Sequence, residues 1–257
     1  MKKTITQLRW FVTMLLLVAA MVMPSVAWAQ PGGEGTEANP YQISDCSELY
    51  WFAELVNAGN TTACAELTHD IPVNREWTPI MIYNGTFDGK GHKISGLSFS
   101  DESGSGPFGF FRGTETNSVI RNVGIVNFSF NGWSGVGGVC GSNNGTIKNC
   151  HNNGSVSCCS TGDNNTYGGV CGENFGTIEN CYNTGTVSGS DVAGGVCGAN
   201  SGTINNCYNT GTVSCNGDYA GGVCGQTSET ITNCYYLSGT ATNGIGYIEY
   251  LSPTKCV

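Results

Sequence analysis

The chain carries few charged residues, and the deficit is largest for the basic ones. Only 11% of its 257 residues are Asp, Glu, Lys or Arg, and 10 basic residues stand against 19 acidic ones, a net charge of −9. Nucleic acids and anionic membranes are bound through clusters of Lys and Arg. The composition therefore argues against both as partners.

Histidine is also scarce, which limits the chemistry available. The three histidines are His69, His92 and His151, and none lies in the His-Glu-x-x-His pattern of a zinc peptidase. The sequence contains no Cys-x-x-Cys pair of the kind that holds structural zinc. Neither a peptidase centre nor a zinc centre is expected.

Long apolar runs are missing except at the start of the chain. Residues Phe11 to Val22 are mostly apolar, Lys2, Lys3 and Arg9 precede them, and Ala27-Trp28-Ala29 follows. A basic region, a short apolar run and an A-x-A site predict a secretory signal peptide over residues 1–29. Its removal leaves 7 basic residues against 19 acidic ones, and no transmembrane segment is expected in the mature chain.

What the sequence does have is glycine, cysteine and a repeat. Gly-Val-Cys-Gly occurs at residues 138–141, 169–172, 195–198 and 222–225, at offsets of 31, 26 and 27 residues. Each copy is followed by Ile-x-Asn-Cys, ending at Cys150, Cys181, Cys207 and Cys234. A fixed period of this length is the signature of a solenoid.

Each copy contains three short strand candidates separated by turn dipeptides such as Asn-Gly and Thr-Gly. Three strands per coil of about 26 residues predict an all-β protein, a right-handed parallel β-helix whose equivalent residues stack about 4.8 Å apart. Residues Gly109 to Phe130 form a degenerate first copy, with Phe111 and Val123 in the two cysteine columns. Because these replacements are large and apolar, we expect both columns to point into the core. The column of Asn122, Asn149, Asn180, Asn206 and Asn233 is expected to form an internal amide ladder at a corner.

A single helix is predicted near the start of the mature chain. Asp45 and Glu48 form a capping box, the apolar residues that follow recur at helical spacing up to Asn57, and Gly59 suits the stop. The predicted organisation is a signal peptide at 1–29, a leader and helical cap at 30–75, and solenoid repeats at 76–257.

The run Gly-Gly-Val-Cys-Gly-x-Asn-x-Gly-Thr-Ile-x-Asn-Cys-Tyr-Asn-Thr-Gly resembles the GLUG motif. That repeat occurs in large bacterial surface proteins, including the non-catalytic N-terminal region of some immunoglobulin A metallopeptidases. The resemblance covers most of the mature chain. It implies a β-solenoid and a secreted or cell-surface location, without the peptidase domain.

The 14 cysteines allow two interpretations. An even number in a secreted chain favours disulfides, but thiols stacked on adjacent rungs would have Cβ atoms farther apart than the usual ~3.8 Å. The sequence therefore favours mostly reduced core thiols. Cys46 and Cys64, which bracket the predicted helix, are the best candidates for a true bridge.

Two rows of residues are candidate binding groups. Tyr182, Tyr208 and Tyr235 share one repeat position, so they would form an outward aromatic ladder that either stacks sugar rings or only stabilises the rungs. Asp163, Asp191 and Asp218 lie in the variable third-corner loops. There they would either form a carboxylate edge that holds Ca²⁺ or serve as solvated turn residues.

A catalytic site is not expected. Glu173 and Glu179 lie in one coil but on different segments, and no nucleophile–base context accompanies them. The sequence predicts a secreted or cell-surface, non-enzymatic binding or adhesion module without a required cofactor, whose ligand is a surface glycan or protein. A structural spacer and a polysaccharide-degrading enzyme are the alternatives.

Overall fold

The structure is a computed structural model that describes residues 29–101, 106–159 and 164–248. These residues form a parallel β-solenoid of about 7 turns with one helix near its N-terminal end. The predicted parallel β-helix with a short N-terminal helix is confirmed. The signal peptide predicted over residues 1–29 lies almost wholly outside the described residues.

Helix α1 spans Cys46–Asn57, and the described residues contain 28 strands, most of them two to four residues long. In the first half of the chain they are β1 (Tyr41–Ile43), β2 (Ala65–Leu67), β3 (Ile71–Pro72), β4 (Ile80–Tyr83), β5 (Thr86–Asp88), β6 (Lys93–Ser95), β7 (Ser98–Ser100), β8 (Phe111–Thr114), β9 (Val119–Arg121), β10 (Gly124–Gly132), β11 (Val136–Gly137), β12 (Cys140–Asn143), β13 (Thr146–Lys148) and β14 (His151–Cys158). In the second half they are β15 (Thr166–Gly168), β16 (Cys171–Asn174), β17 (Thr177–Glu179), β18 (Tyr182–Asn183), β19 (Thr186–Gly189), β20 (Val192–Gly194), β21 (Cys197–Asn200), β22 (Thr203–Asn205), β23 (Tyr208–Asn209), β24 (Val213–Cys215), β25 (Tyr219–Thr227), β26 (Ile231–Thr232), β27 (Tyr235–Tyr236) and β28 (Asn243–Ile248).

The strands form three parallel sheets that run the length of the solenoid. Sheet I has the order β1-β2-β5-β9-β13-β17-β22-β26. Sheet II follows β3-β6-β10-β14-β18-β23-β27, with β7, β19 and β24 alongside. Sheet III contains β4, β8, β11, β12, β15, β16, β20, β21, β25 and β28. Each coil therefore contributes to all three sheets, and equivalent residues of successive repeats pair in register.

The corner between sheets I and II is made by asparagines in the left-handed conformation. Asn180 has a φ of 53°, and the equivalent residues of the other coils have φ between 50° and 54°. Asparagine tolerates this conformation better than most residues. The turn lets Ile178 and Cys181 both face inward although they are three residues apart, and both are fully buried.

The prediction that this asparagine column is internal is wrong, although its place at a corner is confirmed. Asn149, Asn180, Asn206 and Asn233 are exposed, and the Asn149 amide donates to the Asn122 carbonyl oxygen at 3.0 Å. The left-handed turn aims these side chains away from the core.

The buried amide ladder is a different column, at the corner between sheets III and I. Asn143 donates to Asn174 at 2.8 Å, and Asn174 donates to Asn200 at 2.8 Å. Thr114 donates into one end of this ladder at 2.8 Å, and Thr227 accepts at the other end at 3.1 Å. Each amide can both donate and accept, so the stack satisfies groups that would be costly to bury alone.

The core consists of stacked apolar columns. Phe111, Cys140, Cys171, Cys197 and Cys224 pair in register on sheet III and are all buried. Val123 and Cys150 are likewise buried ahead of the paired residues Gly124 and His151. The predicted inward direction of both cysteine columns is confirmed, with Cys234 on the last rung only partly buried.

Helix α1 packs its apolar face on the N-terminal coils. Asp45 caps it by accepting from the Glu48 N–H at 2.9 Å, while the Glu48 carboxylate reaches back to the Ser44 N–H at 2.6 Å. Phe52 contacts the rings of Tyr83 and Phe87. Among the described residues, no helix is long and apolar enough to cross a bilayer.

The solenoid begins earlier than the predicted boundary at residue 75. Strands β1 and β2 are already the first two strands of sheet I, and α1 is the crossover between them. The residues before β1 are packed on the first coils, because the Gln42 N–H donates to the Gly32 carbonyl at 2.7 Å and the Cys64 N–H donates to the Gly35 carbonyl at 2.7 Å. These N-terminal coils lack the repeat pattern, so the sequence does not reveal them as coils.

Replacing Ile178 by proline tests the ladder. Ile178 is fully buried in the middle of sheet I and pairs with Ile147 and Ile204. Proline removes a ladder N–H and the buried side chain, so we expect the free energy of unfolding to fall by about 3 kcal/mol or more. Thermal and denaturant unfolding measure this change. Ile178→Val is the control, and it should lower the free energy of unfolding by only about 1 kcal/mol. An Ile178→Pro protein that melts like the parent contradicts the fold.

Candidate binding surface

The tyrosine column lies on the outer face of sheet II. After the left-handed corner, Cys181 points inward, Tyr182 outward and Asn183 inward again. His151, Tyr182, Tyr208 and Tyr235 pair in register. Tyr208 is 41% exposed and Tyr235 is 64% exposed. The predicted outward column is therefore present, with His151 as its first member.

The rings of this column stack on one another along the solenoid axis. The His151 and Tyr182 ring centroids are 4.9 Å apart with a 7° interplanar angle, and those of Tyr182 and Tyr208 are 4.8 Å apart with a 4° angle. Each inner ring face is thus covered by its neighbour. Between His151, Tyr182 and Tyr208 the facing ring surfaces are closed to a sugar, so this part of the column offers ring edges and phenolic hydroxyls.

Burial favours the uncharged forms of two members of this column, His151 and Tyr182. It lowers the pKa of His151, which nearby Lys93 lowers further. Burial also raises the pKa of Tyr182, as does the neighbouring Tyr208. His151 and Tyr182 therefore offer hydrogen bonds and contact area rather than charge.

Columns of hydroxyl groups run beside the aromatic column on the same face. Ser98, Ser129, Ser155 and Thr186 pair in register, and Ser157, Ser188 and Ser214 form a parallel row. Strands β14, β18, β19, β23 and β24 contain no Asp, Glu, Lys or Arg. The result is a surface, here called the hydroxyl face, that is uncharged over several rungs in an acidic protein.

The predicted aspartate edge is only partly assembled. Val192 pairs with Tyr219, which places Asp191 and Asp218 on adjacent rungs. Asp191 accepts from the Asn164 N–H at 2.7 Å. The residue in register with Asp191 on the preceding rung is Asn165, whereas Asp163 lies outside the described residues. In the described ranges no three His, Cys, Asp or Glu side chains are grouped so that they could hold a metal ion, and a Ca²⁺ site at this edge stays a prediction.

The predicted bridge between Cys46 and Cys64 is not formed in the structure. Both are free thiols. Cys64 directly precedes β2, next to the start of β1, whereas Cys46 follows the far end of β1 at the first turn of α1. The strand pair therefore separates them.

Glu173 and Glu179 do not form a carboxylate pair. Glu173 lies on sheet III, where burial raises its pKa and the Thr166 hydroxyl donates to it at 3.1 Å. Glu179 lies on sheet I beside Lys148 of the preceding rung. Their separation on two sheets gives them no common substrate position.

Sequence reasoning missed a charged column on the outer face of sheet I. Register places Gln42, Glu66, Asp88, Arg121 and Lys148 on consecutive rungs. The degenerate N-terminal coils hid this alignment, because their strands could not be placed without the register. The sheet next to the hydroxyl face thus carries a column of four charged residues on consecutive rungs.

Asp88 is the buried centre of this charged column. It is only 6% exposed and accepts from Arg121 Nε at 2.9 Å, from the Asn122 amide at 2.9 Å and from the Lys90 N–H at 2.9 Å. Burial alone would raise its pKa, but these hydrogen bonds and the Arg121 charge lower it overall. The Lys90 contact confirms that Asp88 to Gly91 form a turn.

A polar cleft of about 530 Å³ lies over this part of sheet I. Its walls include Glu37, Gln42, Glu66, Lys90 and Arg121. Lys90 forms an ion pair with Glu66 at 3.0 Å, and Arg121 pairs with Asp88. Since these charges already neutralise one another, the cleft is the weaker candidate for a ligand site.

Asp88→Asn tests the buried ion pair through its pH dependence. Because the folded pKa of Asp88 lies below the unfolded value, the carboxylate stabilises the fold above about pH 4, and this contribution is lost as the pH falls through the folded pKa. We expect the free energy of unfolding of the parent to exceed that of Asp88→Asn by about 1–3 kcal/mol at pH 7. This difference should disappear as the pH is lowered. Chemical denaturation between pH 7 and pH 3 measures this. Glu179→Gln, in the same column, is the control. If the difference in unfolding free energy between the parent and Asp88→Asn does not change with pH, the assigned role of the Asp88 carboxylate is wrong.

Comparison with known sequences identifies the repeat. Residues 163–188 match the sequence model of the GLUG motif. A segment of 140 residues is 32% identical to halomucin from Haloquadratum walsbyi, covering 49% of this chain. The match spans about 2% of the length of halomucin, so it compares one module with a small part of a very large protein.

Comparison with solved structures supports the same conclusion for the fold. The crystal structure described as a "putative immunoglobulin A1 protease" from Bacteroides ovatus superposes with a TM-score of 0.54 and 23% sequence identity. The match covers 80% of this chain and 78% of that one. At this identity the likeness concerns the fold alone. Motif, relative and fold together confirm the resemblance of this chain to GLUG-repeat surface proteins.

Proposed function

We propose that the protein is a secreted or cell-surface, non-enzymatic binding module that uses the hydroxyl face to bind an uncharged surface glycan. The observation that carries the proposal is the distribution of charge. Sheet I presents Glu66, Asp88, Arg121 and Lys148 in one column, whereas the adjacent hydroxyl face presents hydroxyls, amides and tyrosine edges.

The chemistry of this face suits neutral sugars. Serine, threonine and tyrosine hydroxyls both donate and accept hydrogen bonds, as sugar hydroxyls do. Rungs repeat at about 4.8 Å, so a chain of sugars laid along the axis would meet the same groups again and again. Once one unit of a repeating polymer is bound, the neighbouring units are held at a high effective concentration. Many weak contacts therefore combine into a higher overall affinity.

Secretion is part of this proposal and rests on the predicted signal peptide over residues 1–29. The GLUG repeat and the similarity to halomucin fit a surface or extracellular protein. The absence of a His-Glu-x-x-His pattern in the sequence and the separation of Glu173 from Glu179 on two sheets support a non-enzymatic role.

A structural spacer is the second candidate, and one observation favours it. The His151, Tyr182 and Tyr208 rings cover one another, as expected of a ladder that stabilises rungs. Under this candidate the hydroxyl face binds no ligand.

Binding of residues 30–257 to an array of neutral glycans and mucins, with Ca²⁺ or with a chelator, tests the proposal. We expect specific glycan binding that Tyr208→Ala weakens about tenfold, equivalent to about 1.4 kcal/mol. Tyr208→Phe keeps the ring and removes one hydroxyl. It should weaken binding nearly as much, because the Tyr208 ring face that meets Tyr182 is covered and the hydroxyl is the group that the proposal assigns to ligand contact.

Phe175→Ala is the matched control, because Phe175 is 54% exposed and lies between β16 and β17, away from the hydroxyl face. If Phe175→Ala weakens binding as much as Tyr208→Ala, the site is elsewhere. A blank glycan array contradicts the glycan proposal and favours a protein partner or the spacer. Loss of binding in chelator would indicate the aspartate edge, and release of sugar would indicate an enzyme.

A further inference from the structure

The rungs around the tyrosine column are evenly spaced and hardly rotated relative to one another. The His151 and Tyr182 ring centroids are 4.9 Å apart and those of Tyr182 and Tyr208 are 4.8 Å apart, with interplanar angles of 7° and 4°. Adjacent strands of an ordinary sheet are rotated by about 20–25°, whereas these rings keep almost the same orientation. Equivalent groups on this part of the solenoid therefore lie along a nearly straight line parallel to its axis.

Each of these rungs displays an exposed residue on both sides of its ring. An asparagine of the left-handed corner lies before the ring, and the residue two positions after the ring points outward again. The members, here called the axial strip, are Asn149, His151 and Asn153; Asn180, Tyr182 and Thr184; Asn206, Tyr208 and Thr210; and Asn233, Tyr235 and Leu237. The strip thus repeats one arrangement over four rungs in register and contains no Asp, Glu, Lys or Arg.

The axial strip supplies hydrogen-bond donors and acceptors on every rung. An asparagine amide donates through its nitrogen and accepts through its oxygen, and a hydroxyl does both. The Thr184 hydroxyl donates to the Asn152 carbonyl oxygen at 3.2 Å, so its own oxygen can still accept from a ligand. The Asn233 amide donates to the Asn206 amide oxygen at 3.2 Å, which holds both side chains in place before a ligand binds. These groups are preorganised partners for the hydroxyls of neutral sugars.

The straight, even repeat selects among neutral polymers by their shape. A polymer that places one ring on each rung must be extended and must advance by roughly one rung per ring. Pyranose chains joined by β-1,4 bonds are extended in this way. Chains of α-1,4-linked or β-1,3-linked glucose coil, so their successive rings leave a straight line. A coiled chain would meet few rungs at once and would lose the gain that comes from several linked contacts.

We propose that the glycan is an extended β-1,4-linked polysaccharide that lies along the axial strip, parallel to the solenoid axis, with one sugar on each of the four rungs. This inference rests on the proposed binding of a neutral glycan to the hydroxyl face. It adds the linkage of the polymer, its direction on the protein and the length of the bound segment.

Titration calorimetry with oligosaccharides of two to six sugars tests the linkage and the length. The probes are the β-1,4-linked cello-, chito- and manno-oligosaccharides, and the controls are the coiled malto- and laminari-oligosaccharides of the same lengths. We expect at least one β-1,4 series to bind, with an affinity that rises up to about four sugars and then levels off. Its longest member should bind about tenfold or more tighter than either coiled control of equal length.

Two variants test the position of the bound chain. Thr210→Val removes one hydroxyl of the strip at nearly constant shape and should weaken binding about fivefold, the effect of one lost hydrogen bond. Thr203→Val, at an exposed threonine on the outer face of sheet I, is the matched control and should leave the affinity unchanged. Deleting residues 182–207 joins Cys181 to Tyr208 at equivalent positions of the repeat and removes one rung. The affinity should then level off at about three sugars.

A thermal melt shows whether the deletion variant is folded, and Thr210→Val tests the strip if it is not. The inference is overturned by coiled oligosaccharides that bind as tightly as the β-1,4 series, by an affinity that does not depend on length, or by a folded deletion variant that still levels off at four sugars. It is also overturned if Thr203→Val weakens binding as much as Thr210→Val. If another neutral glycan binds but no β-1,4 series does, this inference is wrong and the proposed function stands. If no neutral glycan binds, the proposed function is wrong as well.

Discussion

The structure depends on in-register parallel hydrogen bonding between successive coils. Because side chains alternate along each strand, a slip of one residue would move Ile178 from the core to solvent and Tyr182 from solvent to the core. The left-handed asparagine at the first corner fixes the register within each coil, since it lets Ile178 and Cys181 both point inward. Every column of the protein, apolar, amide, thiol or aromatic, follows from this alignment. The repeat therefore decides at once what is stacked inside and what is displayed outside.

This dependence explains how much the sequence predicts. The period of the Gly-Val-Cys-Gly copies predicts the coils, and the substitution of Phe111 for cysteine predicts the inward direction of its column, as the register confirms. The capping residues predict helix α1 to within one residue. The first strands, β1 and β2, carry no repeat, so only their pairing in sheet I reveals that the solenoid begins there.

The asparagines mark the limit of sequence reasoning. Asn174 and Asn180 lie in the same coil. Asn180 recurs in every repeat, and Asn174 recurs as Asn143 and Asn200. Asn180 takes the left-handed turn and is exposed, whereas Asn174 ends a strand and is buried in an amide stack. The difference lies in hydrogen bonds to other coils, which a single sequence does not display.

For the same reason the charged column of Glu66, Asp88 and Arg121 escapes detection. The sequence predicts the tyrosine column but not the close stacking that covers the facing sides of the Tyr182 and Tyr208 rings.

In a stacked column, the side chains that remain available for further contacts are those at its ends. Inside the Asn143–Asn200 ladder each amide is satisfied by its neighbours. The ladder begins with the Thr114 hydroxyl and ends with Thr227, which donates onward to the Glu229 carbonyl oxygen at 2.9 Å. That ladder is closed at both ends and has no capacity left for a ligand. The tyrosine column ends at Tyr235, its most exposed member, and the cysteine column that starts at Cys150 ends at the partly buried Cys234 on the same rung. A repeat that is uniform along its length thus exposes these side chains most at its last described rung.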